Sequence, residues 1–477
     1  MGERPYQAAS RVMVQGHWDN GDNRVILALP TGAGKTWSAV RVLDRYVRAG
    51  ARVLWLAHLD LLLTQAAQTL TSAGHTPFIW RGKYIDRTRF VHLASMQRLG
   101  FRLDRVTWEP DLIVVDEAHR SACNTYKRIL ERYPNAKVLG LTATPWRLDG
   151  KGLGTVGFTK IVAPVAPDWL VDNGFLVPPR VLAPRRPDVK GLRRRAGEFT
   201  AKSAAKAMEA GIGDIVRGVS KVAHEDGGRI ALFAATIAQS LVIRDELRAA
   251  GVTAEHVDAD TTSEERIDLL GPTGAMASGD LQVICSVGVL DEGVDCPALD
   301  SIVLATPTAS SGRYLQRCGR GARTAPGKKF YRLIDYGGNV PLPDGTGRHM
   351  WPTEDLRPRY SLEGLESEDQ DREAPVTQCP ECQGIELTAR WRNRCCPLCG
   401  WERPREEIEV EDHGLELVDV DPDLVRRMES RDAEWAELAA ECNRRGYKPG
   451  WAIHRWKGRH GWSPTRPMMQ MLNRRAG

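Results

Sequence analysis

From the start of the chain to about Val165, short apolar runs alternate with helical stretches. The predicted strands are Val25–Leu29, Val53–Ala57, Val91–Ala94, Leu112–Val115 and Val138–Leu141. Strand runs without polar alternation fit a parallel sheet with helices on both faces. A second series follows at Ile230–Phe233, Glu255–Val257, Val283–Cys285, Ile302–Ala305 and Phe330–Ile334. The pattern predicts two α/β domains in tandem. Between them, Pro178-Pro179 and a basic cluster (Arg185, Arg186, Lys190, Arg193, Arg194, Arg195) read equally as a solvated loop or a nucleic-acid contact.

Composition then shifts along the chain. Acidic residues dominate from Ser361 to Glu373 and again from Glu406 to Asp423, while Asn443–Gly477 has no Asp or Glu. The division this predicts is 1–165, first domain; 166–215, interdomain segment; 216–345, second domain; 346–375, acidic linker; 376–405, cysteine module; 406–430, second acidic linker; 431–477, basic C-terminal module. No apolar run approaches the roughly 20 residues of a membrane helix. Met1-Gly2-Glu3-Arg4-Pro5 lacks the apolar core of a signal peptide. Both observations point to a cytoplasmic protein. The net charge of +5 permits a polyanionic partner without requiring one.

Leu29-Pro30-Thr31-Gly32-Ala33-Gly34-Lys35-Thr36 directly follows the first strand. A glycine-rich turn between strand and helix aims backbone N–H groups and a positive helix end at a polyphosphate. Lys35 is placed for the β- and γ-phosphates of ATP, and Thr36 for Mg²⁺. Leu29 stands where this pattern has glycine.

The fourth strand of the first series runs into Asp116-Glu117-Ala118-His119. Acids at the C-terminal end of a parallel strand lie beside such a loop. Asp116 is placed to hold Mg²⁺, and Glu117 to orient and deprotonate water, which is what ATP hydrolysis requires.

Further motifs stand in order: Arg4-Pro5-Tyr6-Gln7, Leu56-Ala57-His58, Ala94-Ser95-Met96-Gln97, Leu141-Thr142-Ala143-Thr144-Pro145, Gly288–Asp295 and Gln316–Arg323. In order and spacing, residues 1–345 resemble the superfamily 2 helicases, in the branch of restriction-enzyme motor subunits and repair or phage helicases. The resemblance implies two RecA-like domains closing on ATP and an ATP-dependent motor on nucleic acid, DNA more than RNA. It implies that Gln7 reads adenine and that Gly293 and Asp295 touch the ribose. It implies that His119, Thr142, Thr144 and Gln316 couple nucleotide state to nucleic-acid binding. Arg320 and Arg323 would reach the γ-phosphate from the second domain, completing the site only when the cleft closes. The alternatives are the motor subunit of a restriction or defence complex and a nucleotide-gated clamp that does not unwind.

Half of the ten cysteines lie between Cys379 and Cys399. Cys379-Pro380-Glu381-Cys382 and Cys396-Pro397-Leu398-Cys399 are paired CxxC knuckles, the spacing of a closed structural Zn²⁺ site. Cys395 competes with Cys396, and knuckle geometry favours Cys396. The module resembles a zinc ribbon, a possible protein- or nucleic-acid-binding adaptor.

In the tail, Arg455, Lys457 and Arg459 interleave with Tyr447, Trp451, Trp456 and Trp462. Cations that follow phosphates and rings such as Trp456 that stack on bases would grip nucleic acid. Equally, the tryptophans could be the core of a small helical module.

Overall fold

The computed structural model describes residues 3–81, 85–121, 124–147, 151–183, 187, 191–195, 197–226, 228–271, 273–291, 296–340, 349, 351–364, 376–381, 385–387, 395–396, 399–402, 418–420, 433–442, 444–445 and 449–460. The chain divides into two compact units, 1–339 with 352–418 and 340–351 with 419–477.

The larger unit holds two parallel sheets. In the first, α1 (Pro5–Asp19) leads to β1 (Arg24–Ala28), and residues 29–34 turn into α2 (Lys35–Arg48). Then come β2 (Val53–Ala57), β3 (Phe78–Ile79), β4 (Val91–Ser95), β5 (Leu112–Asp116), β6 (Lys137–Thr142) and β7 (Lys160–Val162). Their order is β3-β4-β2-β5-β6-β1-β7, and every pairing is parallel. Parallel pairs need crossover connections, which the intervening helices supply. Every residue of β2, β4 and β5 is buried, so their apolar runs mark strands covered on both faces. All five strands expected here are present. The short β3 and β7 were not expected, being two and three residues long.

The second sheet includes β8 (Pro179–Ala183), β11 (Ile230–Ala234), β12 (Ala254–Val257), β13 (Val283–Ser286), β14 (Ser301–Ala305) and β15 (Tyr331–Asp335). Between β8 and β11, β9 (Arg194–Arg195) and β10 (Glu198–Phe199) form an antiparallel hairpin. Six of its seven strands run in the order β12-β13-β11-β14-β15-β8, again with parallel pairings. The expected strands recur. β8 is an addition from the segment read as interdomain, and it pairs with β15 from Pro179 opposite Tyr331.

After the second sheet the chain returns to the first. Gly152 and Gly154 donate their N–H groups to the carbonyls of Glu363 and Leu362, each at 2.9 Å. Tyr360 and Leu362 pack against the first domain's core. Residues 360–363 of the predicted acidic linker are therefore anchored, and residues 365–375 lie outside the described residues. Beyond them, β16 (Val376–Gln378) and β17 (Ile385–Leu387) pair as a hairpin.

In the smaller unit, helices at 433–442 and Pro449–His460 bury Trp435, Leu438, Ala439, Cys442, Ala452 and Trp456 together. Trp456 is fully buried, its ring edge-on to Trp435 at 5.4 Å. This corrects the expectation that Trp456 stacks on bases, because no face of the ring is open. So short a helix pair needs large side chains to make a core. No helix among the described residues is long and apolar enough to cross a membrane.

Candidate active site

In the first sheet β6 lies between β1 and β5, so the C-terminal ends of three neighbouring strands carry the chemistry. Open α/β sheets bind ligands at this edge. The turn after β1 needs glycine twice, since Gly32 and Gly34 have φ of 86° and 79°. Gly34 is also the N-cap of α2, which opens with Lys35 and Thr36. Leu29, the departure from the usual pattern, is fully buried, and its N–H donates to the Thr142 carbonyl at 3.0 Å. At that position the chain is still continuing the strand, so a large apolar side chain fits. Thr31 follows Pro30, whose carbonyl accepts from the Ala33 N–H and tightens the loop.

α1 braces the loop. The Tyr6 hydroxyl donates to the Ala33 carbonyl at 2.9 Å. Gln7 Oε1 accepts from the Arg4 N–H, which leaves Nε2 within 3.1 Å of where a Cβ on Gly34 would stand. Gln7 therefore sits against the loop at Gly34. Around it are rings that sequence reasoning missed. Phe175 lies 5.4 Å from Tyr6 and carries Arg4 over its face at 5.1 Å, and Trp169 stacks beside it at 5.8 Å. Their segment carries no motif, so nothing in the sequence pointed to them.

Asp116 is buried, and burial pushes its carboxyl well above the ordinary 3.8; the Glu117 charge adds to this and the Lys35 charge partly offsets it. A carboxylate that is costly to ionise is one that a divalent cation would stabilise. Thr36 and Asp116 both lie at this edge and suit Mg²⁺, a hard ion that takes oxygen ligands. Glu117 is the only residue other than glycine with positive φ, 51°, among those described. Strain of this kind persists where surrounding structure over-determines it.

From Glu117 a polar chain crosses into the second domain. His119 Nδ1 lies 3.4 Å from Glu117 Oε2 and 3.2 Å from Thr142 Oγ1. Thr142 Oγ1 donates to the Thr144 carbonyl and accepts the Thr144 N–H. On the far side of the ring, His119 Nε2 faces Gln316 Nε2 at 3.5 Å. An amide N–H can only donate, so Nε2 is the acceptor and Nδ1 carries the proton.

Gln316 lies on the Ser311–Gly321 helix, capped by the Ser310 hydroxyl, which accepts the Arg313 N–H. The same helix presses onto the phosphate loop. A Cβ on Gly319 would lie 2.3 Å from the Thr31 Cβ, and a Cβ on Gly32 would lie 3.3 Å from Arg323 Cγ. Arg323 thus runs along the loop. Arg320 is buried and donates to the Asp291 carbonyl at 2.7 Å. Arg317 is also buried; it forks onto the Asp291 carboxylate at 2.6 and 3.4 Å and stacks on Phe233 at 4.9 Å. Arg317 and Asp291 were not singled out from sequence, although both stand inside the recognised motifs. Gly293 and Asp295 lie outside the described residues.

In the cysteine module the thiols of Cys379, Cys396 and Cys399 lie within 4.8 Å of one another, with Cys379 and Cys399 Sγ 3.7 Å apart. Tetrahedral Zn–S bonds of about 2.3 Å give S···S edges of about 3.8 Å. The three thiols fit such a site, with Cys396 rather than Cys395 in the cluster. Cys382 lies outside the described residues.

In the tail, Arg455 and Lys457 are exposed, and Arg455 lies over Trp451 at 5.2 Å. Arg459 is exposed and paired with Glu434 at 2.8 Å.

Comparison with known proteins agrees with this geometry. Residues 1–147 match the family model "Type III restriction enzyme, res subunit", and residues 214–325 match "Helicase conserved C-terminal domain". A 51.5 kDa protein of Lactococcus phage (isolate 7-9) is 29% identical over 82% of this chain and 81% of its own length. The Saccharomyces cerevisiae protein provisionally described as ATP-dependent helicase IRC3 is 26% identical over 66% of this chain and 48% of its own. Among solved structures, the ATP-dependent Type ISP restriction-modification enzyme LlaBIII bound to DNA shares the fold. Its TM-score is 0.51 at 16% identity, over 70% of this chain and 28% of that one. The chain thus spans most of the phage relative but less than half of the yeast relative. With both motor-domain models matched in order and motif residues of both domains meeting at the loop and at His119, this chain is a superfamily 2 helicase.

Proposed function

We propose that the protein is an ATP-driven translocase or helicase acting on duplex or branched DNA. The observation that carries this reading is the contact of the Gln316–Arg323 helix with the phosphate loop, Gly319 on Thr31 and Arg323 on Gly32. Groups from two domains meet only when the cleft is shut, so ATP binding and domain closure become one event. Lys35 and the loop N–H groups hold the phosphates, Gln7 lies toward the base, and Arg320 and Arg323 supply charge to the γ-phosphate. Mg²⁺, held by Thr36 and Asp116, would neutralise phosphate charge. Glu117 takes the proton from the attacking water, and His119 stands beside it, its Nδ1 3.4 Å from Glu117 Oε2. Hydrolysis releases the closed cleft, and repeated closure against a bound strand is a motor stroke.

DNA is favoured because restriction-enzyme motors figure in the matched family description. The same observation supports a second reading, a motor subunit whose nuclease lies on another chain. Zn²⁺ on Cys379, Cys382, Cys396 and Cys399 would fix the ribbon fold, and exposed Arg455 and Lys457 would add phosphate contacts. ATPase stimulation across single-stranded, duplex and forked DNA and RNA tests substrate class. Lys35→Ala and Glu117→Gln should each abolish turnover with the fold intact, and wild-type turnover in either would refute the site. Fork unwinding by the purified chain alone would argue against the subunit reading.

A further inference from the structure

The β9–β10 hairpin and the residue before it present Arg193, Arg194 and Arg195, all exposed. Arg193 and Arg194 have no acidic partner among the described residues, and Arg194 lies over the Phe199 ring at 5.1 Å. A run of exposed arginines is often only a solvated surface. The fixing of this hairpin argues otherwise.

Glu198, on its second strand, carries four hydrogen bonds. Oε1 accepts the Ala309 N–H at 2.6 Å and the Phe199 N–H at 2.8 Å. Oε2 accepts the Thr308 hydroxyl at 2.5 Å and Arg313 at 3.1 Å. The hairpin is thereby clamped to the loop and first turn that begin the Ser311–Gly321 helix. Arg313 also reaches the Asp291 carboxylate at 3.3 Å, the same carboxylate that holds Arg317. Its neighbour Gly312 meets Thr144 of the first domain, with Thr144 Oγ1 3.3 Å from where a Cβ would stand. An extended basic hairpin is thus tied at one point to the helix that senses the nucleotide.

We propose that Arg193, Arg194 and Arg195 grip the phosphate backbone of the nucleic acid, and that Glu198 moves this grip with the ATP-sensing helix. This rests on the motor reading above. The partner is a polyanionic strand because the offered groups are guanidiniums, which fork onto phosphate oxygens. Glu198 is a positioning residue: it holds the hairpin and touches no substrate.

The test is the salt dependence of binding to a labelled single strand and to the matching duplex, with thermal unfolding as the fold control. Each lost phosphate contact lowers the slope of log K against log salt by about 0.7–0.9. Arg193→Ala/Arg194→Ala should lower it by about 1.5, which is about thirtyfold in affinity at 0.1 M salt relative to 1 M. An unchanged slope in a folded double variant overturns the grip. Glu198→Gln should leave the slope near wild type while reducing the stimulation of ATP turnover by nucleic acid. Thr308→Val, which removes one bond of the clamp, should do the same more weakly and serves if Glu198→Gln does not fold. Full stimulation in both variants overturns the coupling. Failure of the wild-type chain to bind either nucleic acid would instead refute the motor reading.

Discussion

Gly319→Ala isolates the step at which the two domains meet. A Cβ there would lie 2.3 Å from the Thr31 Cβ and 2.7 Å from its Cγ2. Apolar carbons rest about 3.5–4.0 Å apart, so the surfaces must separate by at least about 1.2 Å. Rotating the Thr31 side chain gives no relief, because its Cβ is the nearest atom. Alanine inside a helix is favoured over glycine by about 1 kcal/mol, so the fold itself should not suffer. A displacement of about 1 Å between reacting groups can reduce turnover about 10²-fold. The expected phenotype is therefore a loss of nucleic-acid-stimulated kcat of about that size, with an unchanged or slightly raised Tm. The assay is steady-state ATP hydrolysis at saturating DNA, beside a fluorescent-nucleotide titration. Thr31→Gly removes the opposing Cβ, so the double variant should recover at least about tenfold over Gly319→Ala, a coupling that independent sites would not show. A Gly319→Ala enzyme within about threefold of wild type would refute closure to this spacing as a condition of turnover.

Other consequences concern stability and metal. Because burial raises the Asp116 carboxyl from 3.8, its contribution to stability is present below that value and is lost as pH rises through the folded value. Asp116→Asn, in chelator at neutral pH, should therefore raise Tm by an amount worth at least about 1 kcal/mol while ending turnover; an unchanged or lowered Tm would contradict the burial argument. Metal analysis should find one Zn²⁺ per chain, retained in Cys395→Ser and lost in Cys396→Ser; retention in both would remove Cys396 from the site. Trp456→Ala should cost the smaller unit about 3–5 kcal/mol, read as earlier loss of its near-ultraviolet signal. Little change would favour the stacking role that its burial argues against.

Both sheets were legible because strands buried on two faces are written as unbroken apolar runs. Leu112–Val115 and Val283–Cys285 could be read with no knowledge of their neighbours. β8 escaped because Pro178-Pro179 looks like a chain breaker, whereas Pro179 opens a strand that is specified by its pairing with β15. The return of Tyr360 and Leu362 to the first domain escaped for a similar reason: a few apolar residues beside an acidic stretch have no period to betray them. Within the site, motif residues were legible because their chemistry demands particular side chains at particular spacings. Phe175 makes its contacts at long range, which no local spacing records, and the pairing of Asp291 with Arg317 joins two motifs that the sequence keeps apart. Trp456 shows the opposite error, since a ring between cations has the same local pattern whether it faces a base or a core.

The long-range contacts also explain why a motor needs so many groups that touch no phosphate. Glu117 can take a proton only if its carboxylate faces the attacking water, and its side chain leaves a strained backbone at φ 51°. His119 Nδ1 stands 3.4 Å from Glu117 Oε2 and 3.2 Å from Thr142 Oγ1, and its Nε2 faces Gln316 on the other domain. If the cleft opens, the Gln316 amide leaves, and His119 loses its contact with the second domain. On the proposed mechanism, the histidine beside the base is then held from both domains only in the closed cleft, where Arg320 and Arg323 would supply charge to the γ-phosphate. Closure would thus bring the charge and set the surroundings of the base through one helix. A chain that hydrolysed ATP equally well in the open state would gain no directed step from it, so this double dependence is what separates a motor from a simple ATPase.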